Sequence, residues 1–261
     1  MLTWTRLTTL CRRSLPVLAA AALLVASHAA QAQWGHAEGQ IVLDGDIPKL
    51  DNKVNKGDTS QKDCNIVDVP DYTLTVNPEN KGIADVFIYL KKKPSKIHPD
   101  LAKSAEKELV VDQKNCMFIP YAMIVRTDQA VRVLSDDPFP HNTHGYMILN
   151  KSFNNTIGAN DRDGVMVSAT SLAKPEPLPT AVKCDVHSHM ESWWLITDHP
   201  YNAVTDADGK FKIENLPVGT HTFTVWHSRA GYISKDLTIK VTSGKSTTAD
   251  VIKVPVAKVT K

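Results

Sequence analysis

Three side chains with metal-binding chemistry lie together between residues 184 and 190. The thiol of Cys184, the imidazole of His187 and the thioether of Met190 follow the spacing Cys-x2-His-x2-Met, so one short loop can place all three around a single ion. A second imidazole, from His141, would complete a trigonal set of two nitrogens and one sulfur with a weak axial methionine. Soft sulfur ligands of this kind select copper. The sequence therefore predicts one mononuclear copper ion held by His141, Cys184, His187 and Met190, with one-electron transfer as its chemistry.

The cysteine count supports a metal-bound role for Cys184. The chain has four cysteines, and Cys11 lies in an N-terminal segment that we expect to be removed. In an oxidising compartment two of the other three are expected to pair, so one must be free, linked to another chain or bound to metal. Because His187 and Met190 follow Cys184, we interpret it as the metal-bound cysteine and predict a disulfide between Cys64 and Cys116.

Two other classes of function remain open for the same residues. Cys184, His187, His189 and His141 could supply tetrahedral N/S ligation of zinc. Alternatively, the chain could be a non-redox adhesive or carrier β-module, with metal storage as a variant. The sequence shows no nucleophile elbow, no phosphate-binding loop and no haem-attachment motif, so we do not expect an enzyme.

Other side chains near the loop have simpler interpretations. Met190 could be an ordinary core residue. His189 adjoins a predicted ligand, and on an extended chain successive side chains point to opposite sides, so we predict that it faces solvent. Trp193, Trp194 and Trp226 are predicted to be core aromatics.

The histidine segment and the cysteine loop together resemble the cupredoxins, and amicyanin in particular. The shared pattern is Pro140-His141-Asn142-x-His144 followed by the Cys-x2-His-x2-Met loop. The resemblance covers roughly residues 130–197. It implies a blue copper protein with a Greek-key β-sandwich, in which the four ligands predicted above bind the metal and single electrons pass to other proteins.

The resemblance also assigns neighbouring residues. It implies that the backbone N–H of Asn142 points at the thiolate sulfur, and that His144 is not a ligand. The loop departs from amicyanin at Ser188 and His189, where amicyanin has Pro-Phe, so the potential and the docking surface are expected to differ more than the ligands.

A second resemblance involves both ends of the chain. Residues 39–45 and 205–220 resemble a carboxypeptidase regulatory-like β-sandwich, which is joined to a cupredoxin-like unit in a bacterial group named as methylamine utilization proteins. This resemblance implies a structural or adhesive role for the C-terminal part. The same order of turn, strand, turn and strand is also typical of β-sandwiches in general.

The hydrophobic periodicity predicts an all-β protein. Predicted strands cover residues 72–76, 85–90, 122–126, 130–134, 193–197, 211–213, 220–226 and 237–241, and the one predicted helix covers Pro99 to Glu108. We expect a cupredoxin-like Greek-key β-sandwich that binds copper at 33–198, with an additional C-terminal β-sandwich segment of the regulatory-like type at 199–261. Residues 39–49 are a candidate strand partner for that segment.

Residues 1–32 have the pattern of a secretory signal peptide, with three arginines, an apolar run and small residues before the expected cleavage site. Its removal leaves 27 basic and 28 acidic residues, a balance that argues against a nucleic-acid partner. We therefore expect a periplasmic protein without a membrane span after cleavage. The expected partner is a periplasmic redox protein, either a c-type cytochrome or a dehydrogenase, met in transient contacts.

Overall fold

The computed structural model describes residues 33–260, so the predicted signal peptide lies outside the described residues. The strands, in chain order, are β1 (Trp34–Asp44), β2 (Phe87–Leu90), β3 (Glu108–Lys114), β4 (Met117–Ile119), β5 (Ala122–Arg126), β6 (Ala130–Ser135), β7 (His141–Gly145), β8 (Phe153–Ile157), β9 (Val165–Val167), β10 (Thr180–Lys183), β11 (Glu191–Thr197), β12 (Asn202–Val204), β13 (Lys210–Pro217), β14 (Gly219–His227), β15 (Gly231–Val241), β16 (Ser246–Thr248) and β17 (Ile252–Pro255). The helices of this range are three 3-10 helices and one short α-helix, Cys64–Ile66, Pro99–Leu101, Ala169–Leu172 and α1 (Val256–Val259). None of these helices is long and apolar enough to cross a membrane. The predicted all-β class is confirmed.

Two of the four sheets formed by residues 33–260 enclose the core that contains the predicted ligands, and we call this unit the ligand sandwich. Its sheets have the strand orders β5-β11-β10-β7-β8 and β4-β3-β6-β9. Both sheets are mixed, because β5 runs parallel to β11 and β3 runs parallel to β6. Along β6 every second residue is buried, as expected for a strand with one face on a core. The two apolar faces meet around buried residues such as Val111, Val133 and Trp194.

The other two sheets form a second sandwich. Their strand orders are β13-β1-β16, with β17 also paired to β1, and β12-β2-β14-β15. Its core contains Ile41 and Ile88 together with Phe223 and Val254. Strands that precede the ligand sandwich in the chain therefore share one hydrophobic core with strands that follow it.

The two sandwiches pack against each other through an aromatic layer. This layer contains Phe87, Tyr89, Tyr121, Ala122, Leu195 and Trp226. Trp193 is partly buried and packs against this layer, with its ring centroid 4.9 Å from that of Trp226. Trp194, by contrast, points into the core of the ligand sandwich and is fully buried.

The helix predicted at Pro99–Glu108 is wrong beyond its first turn. Only Pro99–Leu101 is helical. The guanidinium of Arg126 donates to the carbonyl oxygens of Leu101 (3.0 Å) and Ala102 (3.2 Å), which would otherwise accept the next helical hydrogen bonds. A side chain from β5 therefore ends the helix.

The strand predicted at residues 72–76 is also wrong, since only Val76 pairs, in an isolated bridge to Ile83. The carboxylate of Asp71 accepts hydrogen bonds from the backbone N–H (3.0 Å) and the hydroxyl (2.6 Å) of Thr73. Such local bonding competes with strand pairing and produces a turn. The other predicted strands correspond to β2, β5, β6, β11, β13, β14 and β15.

The predicted disulfide between Cys64 and Cys116 is present, and Cys184 is the free cysteine among residues 33–260. Both half-cystines are fully buried in the core of the ligand sandwich. They are 52 residues apart in sequence, so the bond restricts a long segment of the unfolded chain. This restriction stabilises the folded state.

Replacing both Cys64 and Cys116 by Ala should lower the free energy of unfolding by about 4 kcal/mol, because the unfolded chain regains its loop entropy. Urea unfolding of the metal-free protein measures the change. Cys184→Ala is the control, since it removes a buried sulfur without removing a cross-link. A double variant no less stable than this control would contradict the expectation.

Candidate metal centre

The loop that carries three predicted ligands joins two neighbouring strands. Cys184 directly follows β10, and Met190 directly precedes β11. The backbone N–H of Cys184 donates to the carbonyl of Met190 (3.2 Å), and the N–H of Met190 donates to the carbonyl of His187 (2.9 Å). These bonds hold the main chain of all three residues in one tight turn.

His141 reaches this loop because its strand, β7, is the other neighbour of β10. The two strands are antiparallel, with Lys183 opposite His144, so the start of β7 lies beside the end of β10. The Nδ1 atoms of His141 and His187 each lie 3.8 Å from the Sγ of Cys184, and 2.9 Å from each other. The structure thus brings together three of the four predicted ligands at one edge of the sheet.

The three ligand atoms fit a metal ion. The centre of their triangle lies about 2.1 Å from each atom, close to the distances of roughly 2.0–2.3 Å from nitrogen and sulfur to zinc in protein sites. Exposure is 1% for His141 and Cys184 and 5% for His187, so the ion would be shielded from water. Met190, the fourth predicted ligand, is fully buried in the same core.

Asn142 fixes the loop relative to β7. Its side-chain oxygen accepts from the backbone N–H of Asp185 (2.7 Å), and its amide nitrogen donates to the Asp185 carboxylate (2.9 Å). The backbone N–H of Asn142 donates to the sulfur of Cys184, as predicted. The backbone N–H of His187 donates to the same sulfur at 3.4 Å. His144 contacts the carboxylate of Asp185 instead of the ligand group.

The surroundings of Cys184 favour its thiolate. Burial opposes ionisation of the thiol, but hydrogen bonds from His141 and His187 and from two backbone N–H groups lower its pKa to about 6. For His141, burial disfavours the charged ring, and Asp137 and Cys184 outweigh that effect and raise its pKa. The thiolate, which is the form that binds metals, is therefore the main form of Cys184 at neutral pH.

The carboxylate of Asp137 orients the ring of His141. Its Oδ2 lies 2.9 Å from Nε2 of His141, and both side chains are almost completely buried. The backbone N–H groups of Asn115 and Cys116 donate to this carboxylate at 2.7 and 2.9 Å. Burial disfavours the ionised carboxylate, but these three hydrogen bonds lower the pKa of Asp137. Because Asp137 accepts the Nε2 proton, Nδ1 is the ring nitrogen that faces Cys184 and His187, and loss of its proton on metal binding would free its lone pair for the ion.

The prediction that His189 faces solvent is wrong. Both of its ring nitrogens are buried and, among residues 33–260, have no hydrogen-bond partner of normal geometry. One of them lies within 4.8 Å of the sulfur atoms of Cys64 and Cys116. The tight turn before Met190 interrupts the alternation expected of an extended chain, so the ring points towards the disulfide. Burial lowers the pKa of His189 to about 4.

Sequence reasoning did not identify Asp137 or Tyr72 as part of the site. The signal for Asp137 is its position four residues before His141, close enough to contact the ring. Tyr72 is more than a hundred residues from the loop and has no local signal, yet its hydroxyl contacts the backbone of Glu191.

The C-terminal part of the chain has a counterpart among known domains. Residues 195–253 match the carboxypeptidase regulatory-like domain. This range contains β12 to β16, which belong to the second sandwich. No curated protein matches the chain.

Solved structures of copper proteins are similar to part of the chain. The copper(I) form of an amicyanin variant is 12% identical and covers 42% of this chain and 97% of its own, with a TM-score of 0.29. A purple cupredoxin from Nitrosopumilus maritimus is 13% identical and covers 34% of this chain and 99% of its own, with a TM-score of 0.27. A copper-containing nitrite reductase from Thermus scotoductus is 15% identical over 34% of this chain, with a TM-score of 0.29, and this chain spans only 22% of its length.

Replacing Asp137 by Asn should weaken copper binding by about 10- to 100-fold, because the ring of His141 loses the carboxylate that orients it and makes it more basic. Competition with a coloured copper chelator measures the affinity. Asp136→Asn is the matched control, since that neighbouring carboxylate is half-exposed and pairs with Lys114. Equal affinities for the two variants would exclude the orienting role.

Proposed function

We propose that the protein binds one copper ion through His141, Cys184, His187 and Met190 and carries single electrons between other redox proteins. The observation that supports this most directly is the buried group of one thiol and two imidazoles, whose ligand atoms all lie within 4.8 Å of one another. Two imidazoles, a thiolate and a weak axial thioether are typical of copper electron-transfer sites. When bound there, copper supplies a reversible one-electron couple.

The chain's own contribution is to restrain the positions of the ligand side chains. Asn142 joins the loop to β7, Asp137 fixes His141, and two backbone N–H groups are aimed at the sulfur of Cys184. Each restraint belongs to the ligand sandwich: Asn142 to β7, Asp137 to the segment between β6 and β7, and the two N–H groups to β7 and the ligand loop. A site held in this way changes little in shape when its charge changes by one electron, which favours rapid transfer.

The position of His189 favours copper over zinc. A tetrahedral zinc site built from one cysteine and three histidines would need this ring. One of its nitrogens lies within 4.8 Å of the disulfide sulfurs, and its ring centroid is 6.5 Å from that of His187. The remaining candidate for the fourth position is Met190, whose soft thioether suits copper better than zinc.

An apolar surface beside His187 supports a role in transient electron exchange. Val186 is 67% exposed, and Pro138 and Pro140 are also exposed. Phe139, which lies between the two prolines in sequence, packs against the site, with its ring centroid 5.3 Å from that of His141 and 5.6 Å from that of His187. Electron-transfer contacts are small and short-lived, so a patch of a few residues suffices. With the signal-peptide pattern at the N-terminus, we propose a periplasmic partner, either a c-type cytochrome or a dehydrogenase.

Replacing Cys184 by Ser should abolish both the visible colour of the copper-loaded protein and its one-electron couple, because a hydroxyl lacks the soft, charge-donating sulfur. Absorption spectroscopy, electron spin resonance and voltammetry measure these properties. Ser188→Ala, a change in the exposed part of the same loop, is the control and should retain colour and couple.

Three outcomes would count against the proposal. An unchanged visible spectrum in Cys184→Ser would remove Cys184 from the ligand set. A colourless wild-type protein that contains zinc by elemental analysis would identify a zinc site. A wild-type protein that takes up neither metal would identify a non-redox β-module.

Replacing Met190 by Gln should lower the reduction potential without loss of copper, since a harder oxygen donor favours Cu(II). Met166→Gln is the control, because that methionine is 37% exposed on β9 and should leave the potential unchanged. The two potentials are compared by voltammetry at matched copper content. A potential unmoved in Met190→Gln would show that the thioether does not reach the metal.

A further inference from the structure

The hydroxyl of Tyr72 joins the two peptide groups that flank Met190. It donates to the carbonyl oxygen of His189 at 3.2 Å and accepts from the backbone N–H of Glu191 at 3.1 Å. Because one oxygen atom makes both bonds, Tyr72 fixes the main chain immediately before and after Met190. The thioether itself is fully buried, so its position depends on where this main chain is held.

Tyr72 is in turn held by the second sandwich. The residues on either side of it, Asp71 and Thr73, both accept hydrogen bonds from Nη1 of Arg229, each at 3.0 Å. Arg229 lies in the turn between β14 and β15. The side chains of Asp71 and Arg229 are only 11% and 20% exposed, so this ion pair is partly shielded from water.

A second contact connects the same turn to the ring of Tyr72. Tyr121 packs edge-on against this ring, with 5.4 Å between the centroids, and its hydroxyl lies 2.8 Å from Oγ of Ser228. The carbonyl of Tyr121 also accepts from the backbone N–H of Trp193 on β11 at 2.8 Å. The turn between β14 and β15 is therefore linked to β11 by two routes. One runs through Arg229 and the segment that carries Tyr72, and the other runs through Ser228 and Tyr121.

We propose that Tyr72 is a positioning residue for Met190, and that the turn at Ser228 and Arg229 tunes the reduction potential of the copper through it. This inference rests on the proposed function, because the position of Met190 matters for the potential only when copper is bound. The axial ligand tunes such sites through a long and weak contact. A small displacement of the main chain at Met190 changes that contact, so the regulatory-like segment takes part in setting the potential.

Tyr72→Phe tests the inference, since it removes the hydroxyl and keeps the ring. We expect unchanged copper stoichiometry and a reduction potential shifted to more positive values, because a less restrained thioether contacts the metal more weakly and Cu(I) is favoured. The relative intensities of the visible bands and the copper hyperfine splitting should shift together with the potential. Loss of packing alone would lower stability without this coordinated change.

Tyr201→Phe is the matched control. It also removes a buried hydroxyl, which accepts from the backbone N–H of His98 at 2.9 Å, but it lies in the core of the second sandwich. We expect the wild-type potential and spectrum in this variant. An unshifted potential in Tyr72→Phe, or an equal shift in Tyr201→Phe, would overturn the inference.

Arg229→Gln tests the link to the second sandwich and keeps the inference testable if Tyr72→Phe folds poorly. We expect a smaller shift in the same direction. The double variant should shift no further than Tyr72→Phe, because residues that act through one path are not additive. Arg162→Gln, which breaks a surface ion pair with Asp112, should cause no shift.

The outcomes for this inference and for the proposed function can be told apart. A wild-type protein without colour or couple would refute the proposed function. A coloured wild type with a normal potential in Tyr72→Phe would refute only the role of Tyr72. A shift in Tyr72→Phe with none in Arg229→Gln would refute the role of the second sandwich.

Discussion

Burial of an ionised sulfur is the constraint on which the ligand sandwich depends. A charge removed from water is costly unless polar groups surround it. Cys184 is 1% exposed, and its compensating donors come from two histidines and two backbone N–H groups. Those donors are available only when β7 pairs with β10 and the loop closes on itself. The strand order and the contacts of Asn142 can therefore be understood as the means of placing one charge in an apolar core.

The disulfide is part of the same arrangement. Cys116 supplies one of the N–H groups that hold Asp137, and Asp137 orients His141. A short series of contacts thus leads from the disulfide to the candidate metal position: Cys116 to Asp137, Asp137 to His141, and His141 to the site. Tyr72 holds the main chain of the loop around Met190, and the carboxylate of Asp137 holds the ring of His141. The side chains of the ligand group therefore have little freedom to move.

The group of His141, Cys184 and His187 could be predicted from sequence because two of its members lie within one loop and His141 belongs to a recognisable pattern. Strands with strong alternation, such as β5 and β6, could be predicted for the same reason, since their signal is local. The direction of the His189 side chain could not be predicted, because the alternation of side chains along an extended strand fails within a hydrogen-bonded turn. The prediction of a helix at Pro99–Glu108 was wrong because the guanidinium of Arg126, on β5, donates hydrogen bonds to the carbonyl oxygens of Leu101 and Ala102. In these cases, and for Tyr72, contacts between distant segments decide the structure.

The order of the strands along the chain has a consequence for biosynthesis. β1 and β2 are made before the ligand sandwich, but the strands that complete their core, β12 to β17, are made after it. Ile41 and Ile88 are therefore fully covered only after β12 to β17 have been made. A product that stops after residue 198 would contain all four proposed ligands and yet leave two apolar strands with unpaired edges, a form prone to aggregation and degradation. The second sandwich thus couples the persistence of the proposed metal ligands in the cell to synthesis of the strands that follow residue 198.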